Sequence, residues 1–562
     1  GPATATQGPP GCPALGVRSA ADRLPPPPPR RPRRKKTKMV CTLGPTSRDV
    51  PVLEALLAAG MSAARIDFSW GGPAYHRETL DNLHRAMQNM NQTCAVIMDT
   101  KGPEIVISLP EEGAKVPLQK GSRIKLTSDP GGWVSPREGA MTTLPVQFPD
   151  LGRLEAGTEV FVGQYLFTGM ERSSAFLTVE GPGPEEGSLI CLCNNEATLE
   201  GLLLTVHFSN ARNSLPCLTQ DDHEAIAKWK SWAGQVGGVD FLSLSFTRSA
   251  EDVRTARQAL DRAGLADCQI LAKIESVEGL QNLDEILDLP ECYGCVVSRG
   301  NLGMDIRSWK MVRVQKAVLE ACNIRGKSAI VTRVCDSMVS APRPTRAEAT
   351  DIANAVLDGA DAIMLGAETL RGKHPVGTVE IVRLICREAE QCYDHAAFYR
   401  KIMEYEGGAG ANPSLSQQDS LSSSAVRAAD KTAAACIIAF TETGRHPRVI
   451  SKYRPSAPVV APVLPRVQVT VGLGWQVSGQ AQCKRLMLSR GVIPLLVNSR
   501  SINSKKSTMD NQVVQFALGR ASEKGLVGHG HRIIVSACSV FFWGRLPVLT
   551  RALSRCPSAC AR

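Results

Sequence analysis

Several short stretches of this 562-residue chain end in side chains able to handle charge on a phosphate or a carboxylate. Arg65, Asp67 and Ser69 are spaced by two, so on a β-strand all three project to one side. Lys273 and Glu275 repeat that spacing. Asp99-Thr100-Lys101-Gly102, Arg299-Gly300-Asn301, Thr332-Arg333 and Glu368 close other apolar runs in the same way. Cations and carboxylates converging on one place describe a site for an anionic substrate bridged by metal ions. Lys and Arg there stabilise charge on a transferring phosphoryl group. Gly300 lets a backbone come close, and a helix starting there directs free N–H groups at an anion. Singly, each of these residues is more often a surface ion pair. Their recurrence at the ends of successive apolar runs favours a common site.

The elements that must position them follow from pattern. β-branched or apolar runs, each followed by helical periodicity, predict strands at Met39–Leu43, Ala64–Phe68, Ala95–Met98, Phe241–Phe246, Ile270–Ile274, Cys295–Val297, Ala329–Val331 and Ala362–Leu365. Most repeat at roughly 25 to 34 residues, the length of a βα unit. Eight such units close a (β/α)8 TIM barrel, whose reacting groups sit at the carboxyl ends of the strands. The long interval from Met98 to Phe241 has Gly/Pro punctuation and strand-like runs at Arg123–Thr127 and Glu159–Val162, which predicts a small β domain inserted after the third strand. Beyond the barrel, a helix near Ala425–Lys431 and apolar runs at Ala435–Phe440, Val492–Val497 and Ile533–Val540 predict a C-terminal α/β domain. The expected division is a basic Pro-rich extension at 1–36, barrel at 37–107 and 215–400, an inserted β-barrel lid at 108–214, a Gly/Ser-rich linker at 401–423, the α/β domain at 424–543 and a basic tail at 544–562.

Composition limits the alternatives. The net charge of +11 would invite a nucleic-acid reading. Yet nine Lys or Arg against the lone acid Asp22 lie in the first 38 residues, and four Arg with no acid lie from Arg545 to Arg562, so the body between is close to neutral. Nucleic-acid binding through the termini is therefore disfavoured, since charge runs are usually solvated tails. No apolar run reaches the ~18 residues needed to span a bilayer. The 18 cysteines sit in apolar patterns and read as reduced thiols of a cytosolic-type compartment. Cys292 and Cys295 lack the second pair that a zinc site requires. The acid-poor leader is also compatible with an organelle transit peptide, although it lacks a clear amphipathic helix.

Four phrases resemble the pyruvate kinase family: Thr37-Lys-Met-Val-Cys-Thr-Leu-Gly-Pro-Thr-Ser-Arg48, Asp99-Thr-Lys-Gly-Pro-Glu-Ile105, Lys273-Ile-Glu-Ser-Val-Glu-Gly-Leu280, and the run from Pro342-Arg-Pro-Thr-Arg346 to Asp361. The resemblance extends from Lys36 to about Val540. Asp67-Phe-Ser-Trp-Gly71, Glu78-Thr-Leu-Asp-Asn-Leu83 and the lid phrase Phe161 to Gly169 are most similar to the plant and green-algal cytosolic branch. The resemblance implies phosphoryl transfer from phosphoenolpyruvate to ADP, giving pyruvate and ATP, with Mg²⁺ (or Mn²⁺) and K⁺. It implies that Lys273 stabilises the phosphoryl group in flight, that Arg65 holds phosphate oxygens and that Thr332 lies near the enolate that gains a proton. Glu275 and Asn301 would hold the divalent ion, and Asp67, Ser69, Asp99 and Thr100 the K⁺. Gly300 and Asn301 would offer N–H groups to the substrate carboxylate. Glu104 matches the K⁺-dependent form, the lid would close over the nucleotide, and the assembly would be a homo- or hetero-tetramer in the cytoplasm.

Departures from the family pattern define a second reading. Asn301 replaces an Asp, and a neutral ligand weakens Mg²⁺ binding because this hard cation prefers carboxylate oxygen. Asp67, Trp70, Val106 and Arg333 also differ from most members, and Gly163-Gln164-Tyr165 replaces an acidic turn in the lid. Most of these resemble the plant cytosolic branch, with Asp67 expected to return the charge lost at Asn301. The alternative is a catalytically weak or inactive paralogue that binds ligand or serves as a hetero-oligomer subunit. In the C-terminal domain, Glu442 in Thr441-Glu-Thr-Gly-Arg445 argues against a sugar-phosphate effector at that loop.

Overall fold

The computed structural model describes residues 35–69, 71–108, 115–134, 141–163, 174–200, 203–209, 215–232, 238–406, 416–465, 467–470, 474–477, 479–497 and 509–537. The expectations for residues 1–34, Trp70, the lid phrase beyond Gly163 and the tail 544–562 lie outside them.

Eight parallel strands close a barrel in sequence order: Lys38–Thr42, Ala63–Asp67, Ala95–Asp99, Phe241–Leu244, Gln269–Ile274, Cys292–Val297, Ser328–Thr332 and Ala362–Leu365. Each lies within a few residues of its expected place. The period-2 alternation sorts the strands into two faces. Met39, Ala64, Ile66, Val96, Met98, Leu242, Ile270 and Val331 point outward and pack beneath the helices in the largest core. Val40, Ala63, Ile97, Phe241, Leu271, Val296 and Ile330 point inward and fill the lower barrel. The same alternation carries polar residues to the upper interior, since Asp67 pairs in register with Asp99 and Asp99 with Ser243.

The floor of the barrel comes from elsewhere in the chain. The segment Gln480–Leu488 of the C-terminal domain seats Met487 and Leu488 against the inward-facing core residues. Lys484 lies fully buried 3.8 Å from the Asp240 carboxylate, and the Tyr293 hydroxyl donates to the Arg485 carbonyl at 2.9 Å. A second tie joins the two domains where Arg454, with φ +50, donates to both oxygens of Asp361 and to the Gly359 carbonyl. Buried guanidinium and carboxylate thus neutralise each other, as burial of either charge demands.

Among the described residues the inserted domain holds a seven-stranded sheet and a separate antiparallel pair, Lys115–Leu118 with Ala197–Glu200, around its own core. Its two edge regions approach through a Gln147 to Val106 backbone bond of 3.1 Å, nearly closing a barrel. The boundary expected at 107/108 shifts, because Ile105–Ser108 pairs antiparallel with Leu203–Phe208 and belongs to the lid. The 401–423 linker also needs correction. His395–Glu406 and Gln417–Thr432 are helices, leaving only 407–416 between them, of which 407–415 lie outside the described residues. The Ser-rich run that suggested a linker is helical because Ser416 caps it, accepting from the Asp419 amide at 3.1 Å, and because Ser422 and Ser423 face a core. The C-terminal domain holds a four-stranded parallel sheet in the order Val492–Leu496, Val459–Val463, Cys436–Ala439, Ile533–Ser536. Among the described residues no helix is long and apolar enough to cross a membrane.

Candidate active site

Strand alternation brings the expected residues of the second, third and fifth barrel strands to one mouth. Arg65 Nη1 donates to the Thr42 hydroxyl at 3.1 Å, its Nη2 pairs with Asp67 at 2.9 Å, and the same nitrogen pairs with Asp99. Lys273 Nζ reaches Asp99 at 3.3 Å, the Ser245 hydroxyl at 3.1 Å and Glu275 at 3.6 Å. Asp99 thus sits between two cations. Burial alone would push its carboxyl up, but Arg65 and Lys273 outweigh burial and hold it below the usual carboxylate range.

Glu275 is 1 % exposed and carries a donor on each oxygen: the Phe246 amide at 2.8 Å and Asn301 Nδ2 at 2.8 Å. Asn301 lies in the first turn of the helix Arg299–Asp305, as expected from Gly300, and N–H groups there have no partner within the helix. Arg299 does not enter the mouth. It grips Asp351 and donates to the Thr332 carbonyl at 2.9 Å and to the Arg333 carbonyl, fastening the sixth strand end to the seventh. The Thr332 hydroxyl donates to the Val297 carbonyl at 3.1 Å, across the same seam. Glu368 lies apart from the Lys273 group in its contacts, accepting from the Gly366 amide at 2.7 Å and from the Cys335 thiol. Burial and Asp336 push its carboxyl up to about 6. Cys292 and Cys295 are buried free thiols of the sixth strand.

Asp67 behaves differently from the expectation that it compensates for Asn301. Its partners among the described residues are Arg65 and Ser69, whose amide and hydroxyl both donate to Oδ1. Its charge therefore serves the Arg65–Asp99 side of the mouth, while Asn301 belongs to the Glu275 side. Thr100 bridges the third and fourth strands: its hydroxyl accepts from the Ser245 amide at 3.0 Å, and its carbonyl accepts from the Ser245 hydroxyl at 2.6 Å.

Two groups of donors bear on the cations. Asp99 Oδ1 and the Ser243 hydroxyl are buried with no hydrogen bond of acceptable geometry, although the hydroxyl lies close enough to help hold the carboxyl low. With Asp67 and Ser69 nearby, that oxygen set suits a hard monovalent ion. Glu275 offers carboxylate oxygen and Asn301 an amide oxygen, a sparse pair that suits Mg²⁺, which commonly binds one or two carboxylates plus substrate phosphate. Glu104 retains partial exposure as a residue, but its carboxyl end is enclosed. Burial pushes it up to about 8, with Lys273 opposing and Glu275, Asp67 and Asp99 reinforcing the rise.

Some functional residues escaped the sequence reading. Ser243 and Ser245 stand two apart at the fourth strand end, the same signal used for Arg65 and Asp67 but carried by commoner residues. Phe246 adopts φ +50, a costly conformation for a bulky residue, and it aims the amide at Glu275. Arg333, singled out at the seventh strand end by its sequence, takes a conformation its residue type did not announce: at φ +55 it presents its carbonyl to Arg299.

The geometry agrees with what comparison finds. Residues 34–379 match the model of the pyruvate kinase barrel domain, and residues 419–542 match that of the pyruvate kinase alpha/beta domain. The chain is 44% identical over 501 residues to pyruvate kinase 2, cytosolic, of Oryza sativa subsp. indica, covering 89% of this chain and 91% of the relative. It is 37% identical to the cytosolic pyruvate kinase isozyme of Solanum tuberosum, with 89% and 93% covered. A crystal structure of a pyruvate kinase from Cryptosporidium parvum superposes with a TM-score of 0.76 at 29% identity, covering 93% of this chain and 96% of the other. With both domain models matched in order and close relatives aligned along nearly their whole length, the chain belongs to the pyruvate kinase family.

Proposed function

We propose that this chain transfers the phosphoryl group of phosphoenolpyruvate to ADP, giving pyruvate and ATP, at the mouth built around Lys273, Arg65, Asp99 and Glu275. The observation that carries this reading is the convergence of Lys273 and Arg65 on one oxygen, Oδ2, of the buried carboxylate Asp99, which orients both cations before any substrate arrives. Lys273 faces the phosphoryl group in flight and stabilises its equatorial oxygens; Arg65 holds phosphate oxygens in the ground state. The amides of Gly300 and Asn301, at the helix start, bind the substrate carboxylate. Thr332 lies beside the enolate carbon, where its hydroxyl orders the path of the incoming proton. Glu275 and Asn301 hold Mg²⁺ or Mn²⁺, and Asp67, Ser69, Asp99 and Thr100 hold K⁺. These ions supply charge neutralisation of the phosphates and carboxylate. The lid covers the nucleotide and excludes water that would otherwise hydrolyse the donor. The named cytosolic residence of the rice and potato relatives supports the same compartment here, and a tetramer, homo- or hetero-oligomeric, is the assembly proposed.

Purified protein with phosphoenolpyruvate, ADP, Mg²⁺ and K⁺, coupled to reduction of the pyruvate formed, is expected to turn over at a rate of about 1 s⁻¹ or more, in the range typical of kinases. Nothing favours the inactive-subunit alternative, and absence of turnover with either Mg²⁺ or Mn²⁺ would revive it.

Glu104 gives a separate check on the cation site. Its carboxyl moves from the ordinary value of 4.5 up to about 8, so between those values the folded protein holds a proton that the unfolded chain has lost. Stability in cation-free buffer therefore falls as pH rises through that window. The melting temperature of Glu104→Gln, less that of the unsubstituted protein, is expected to grow more positive from pH 5.5 to 8.5. Saturating K⁺ should flatten the trend. A difference independent of pH would remove Glu104 from the cation site.

A further inference from the structure

The lid leaves the barrel after Pro103 and its last strand, Leu203–Phe208, ends shortly before the chain returns at the helix Gln220–Trp232. A domain held by two chain crossings can rotate about the line that joins them, so its angle over the mouth depends on contacts made elsewhere. His207, on that last strand, makes such a contact. Its Nε2 lies 2.7 Å from Oδ1 of Asp305, at the end of the helix Arg299–Asp305, with the two side chains 15% and 8% exposed. The other oxygen, Oδ2, accepts the Val277 amide at 3.3 Å. Val277 opens the helix that follows directly on Glu275 and Ser276. One carboxylate therefore touches the lid, the helix that carries Gly300 and Asn301, and the turn that follows Glu275.

We propose that His207 and Asp305 are positioning residues that latch the lid at its working angle and register that angle with the segments bearing Glu275 and Asn301. The inference rests on the phosphoryl transfer argued above, and it adds a specificity of effect. The lid half of the latch, His207, acts on the substrate beneath the lid, the nucleotide; without it Asp305 still accepts the Val277 amide, so the segments that face phosphoenolpyruvate keep their own tie. A hydrogen bond between imidazole and carboxylate survives in either charge state of the ring, provided Nε2 carries a proton. Partial burial makes the contact worth more than an exposed pair. The lid has a separate apolar core that does not contain His207, so removing the latch leaves the lid folded but less constrained.

Steady-state kinetics on the full chain test this with His207→Ala, His207→Gln and Asp305→Asn. His207→Ala is expected to raise KM for ADP about tenfold, the scale of a lost hydrogen bond to a charged group. KM for phosphoenolpyruvate should change by less than about twofold on the same reasoning. His207→Gln keeps a donor at similar reach and should restore most of the ADP affinity. Asp305→Asn, which keeps an acceptor oxygen but weakens it, should produce a smaller rise that is greater for ADP than for phosphoenolpyruvate, and it serves if His207→Ala does not fold. Equal rises for both substrates, an unchanged KM for ADP, or no recovery in His207→Gln would overturn the latch. An unsubstituted protein without turnover would instead overturn the catalytic reading itself, so the two failures are distinguishable.

Discussion

Replacing Lys273 with Met is expected to lower kcat by about 10³-fold, with KM for phosphoenolpyruvate changing much less. The reason is where the ammonium stands. Lys273 lies within 3.6 Å of Asp99, Ser245 and Glu275, and those partners hold it in place at the interior end of the fifth strand. A cation fixed in this way does not have to reorganise when charge develops on the transferring group, and only interactions that strengthen in the transition state raise kcat. Met retains the unbranched apolar stem, and Asp99 keeps Arg65 as a counter-ion, so the fold should persist. The coupled assay measures the rate, calorimetry with phosphoenolpyruvate measures binding, and circular dichroism confirms folding. A loss smaller than about tenfold would remove Lys273 from the role of principal electrostatic catalyst.

Asn301→Asp carries the second large effect, and its sign depends on the metal. The amide nitrogen donates to Glu275 Oε1 at 2.8 Å, so in the metal-free protein Asn301 satisfies a buried carboxylate. An Asp at this position would place two carboxylates at that separation, which is unfavourable until a cation lies between them. The variant should therefore melt at a lower temperature in chelator than the unsubstituted protein and recover when Mg²⁺ is added. The Mg²⁺ concentration for half-maximal rate should fall about tenfold, the equivalent of roughly 1.4 kcal/mol from an added anionic ligand. Unchanged Mg²⁺ dependence would show that Asn301 is not a ligand, and that its amide only steadies Glu275.

The barrel was readable because two independent regularities coincide in it. Apolar β-branched runs placed all eight strands, and the spacing of two within Arg65-Ile-Asp67 and Lys273-Ile-Glu275 foretold that those side chains share the interior. Helical geometry after Gly300 was readable for the same kind of reason, a residue type matched to a local need. What escaped reading depends on tertiary context. Phe246 and Arg333 are left-handed because neighbouring strand ends require an amide and a carbonyl at defined points, and neither residue type announces that conformation. Ile105–Ser108 has the same apolar texture as a barrel strand, and only its pairing with Leu203–Phe208 assigns it to the lid. The Ser-rich segment near 420 resembles a linker in composition, whereas the structure uses its small hydroxyls for close helix packing. Asp67 shows the limit most sharply: a charge deficit at Asn301 and a charge surplus at Asp67 invite pairing on paper, yet Arg65 and Ser69 claim the surplus.

The seating of Lys484, Met487 and Leu488 beneath the barrel has a consequence for how the molecule must be made. A chain that has emerged only as far as residue 400 already has all eight barrel strands, but the underside of its interior, including Val40, Ile97, Phe241 and Ile330, is still open to water. Asp240 still lacks the ammonium that will face it. The lid, with a self-contained core, can mature during synthesis, while the larger domain waits for Gln480–Leu488 to emerge. Nascent barrel is the species most exposed to misassociation, and the α/β domain, translated after it, completes it as a chaperone would.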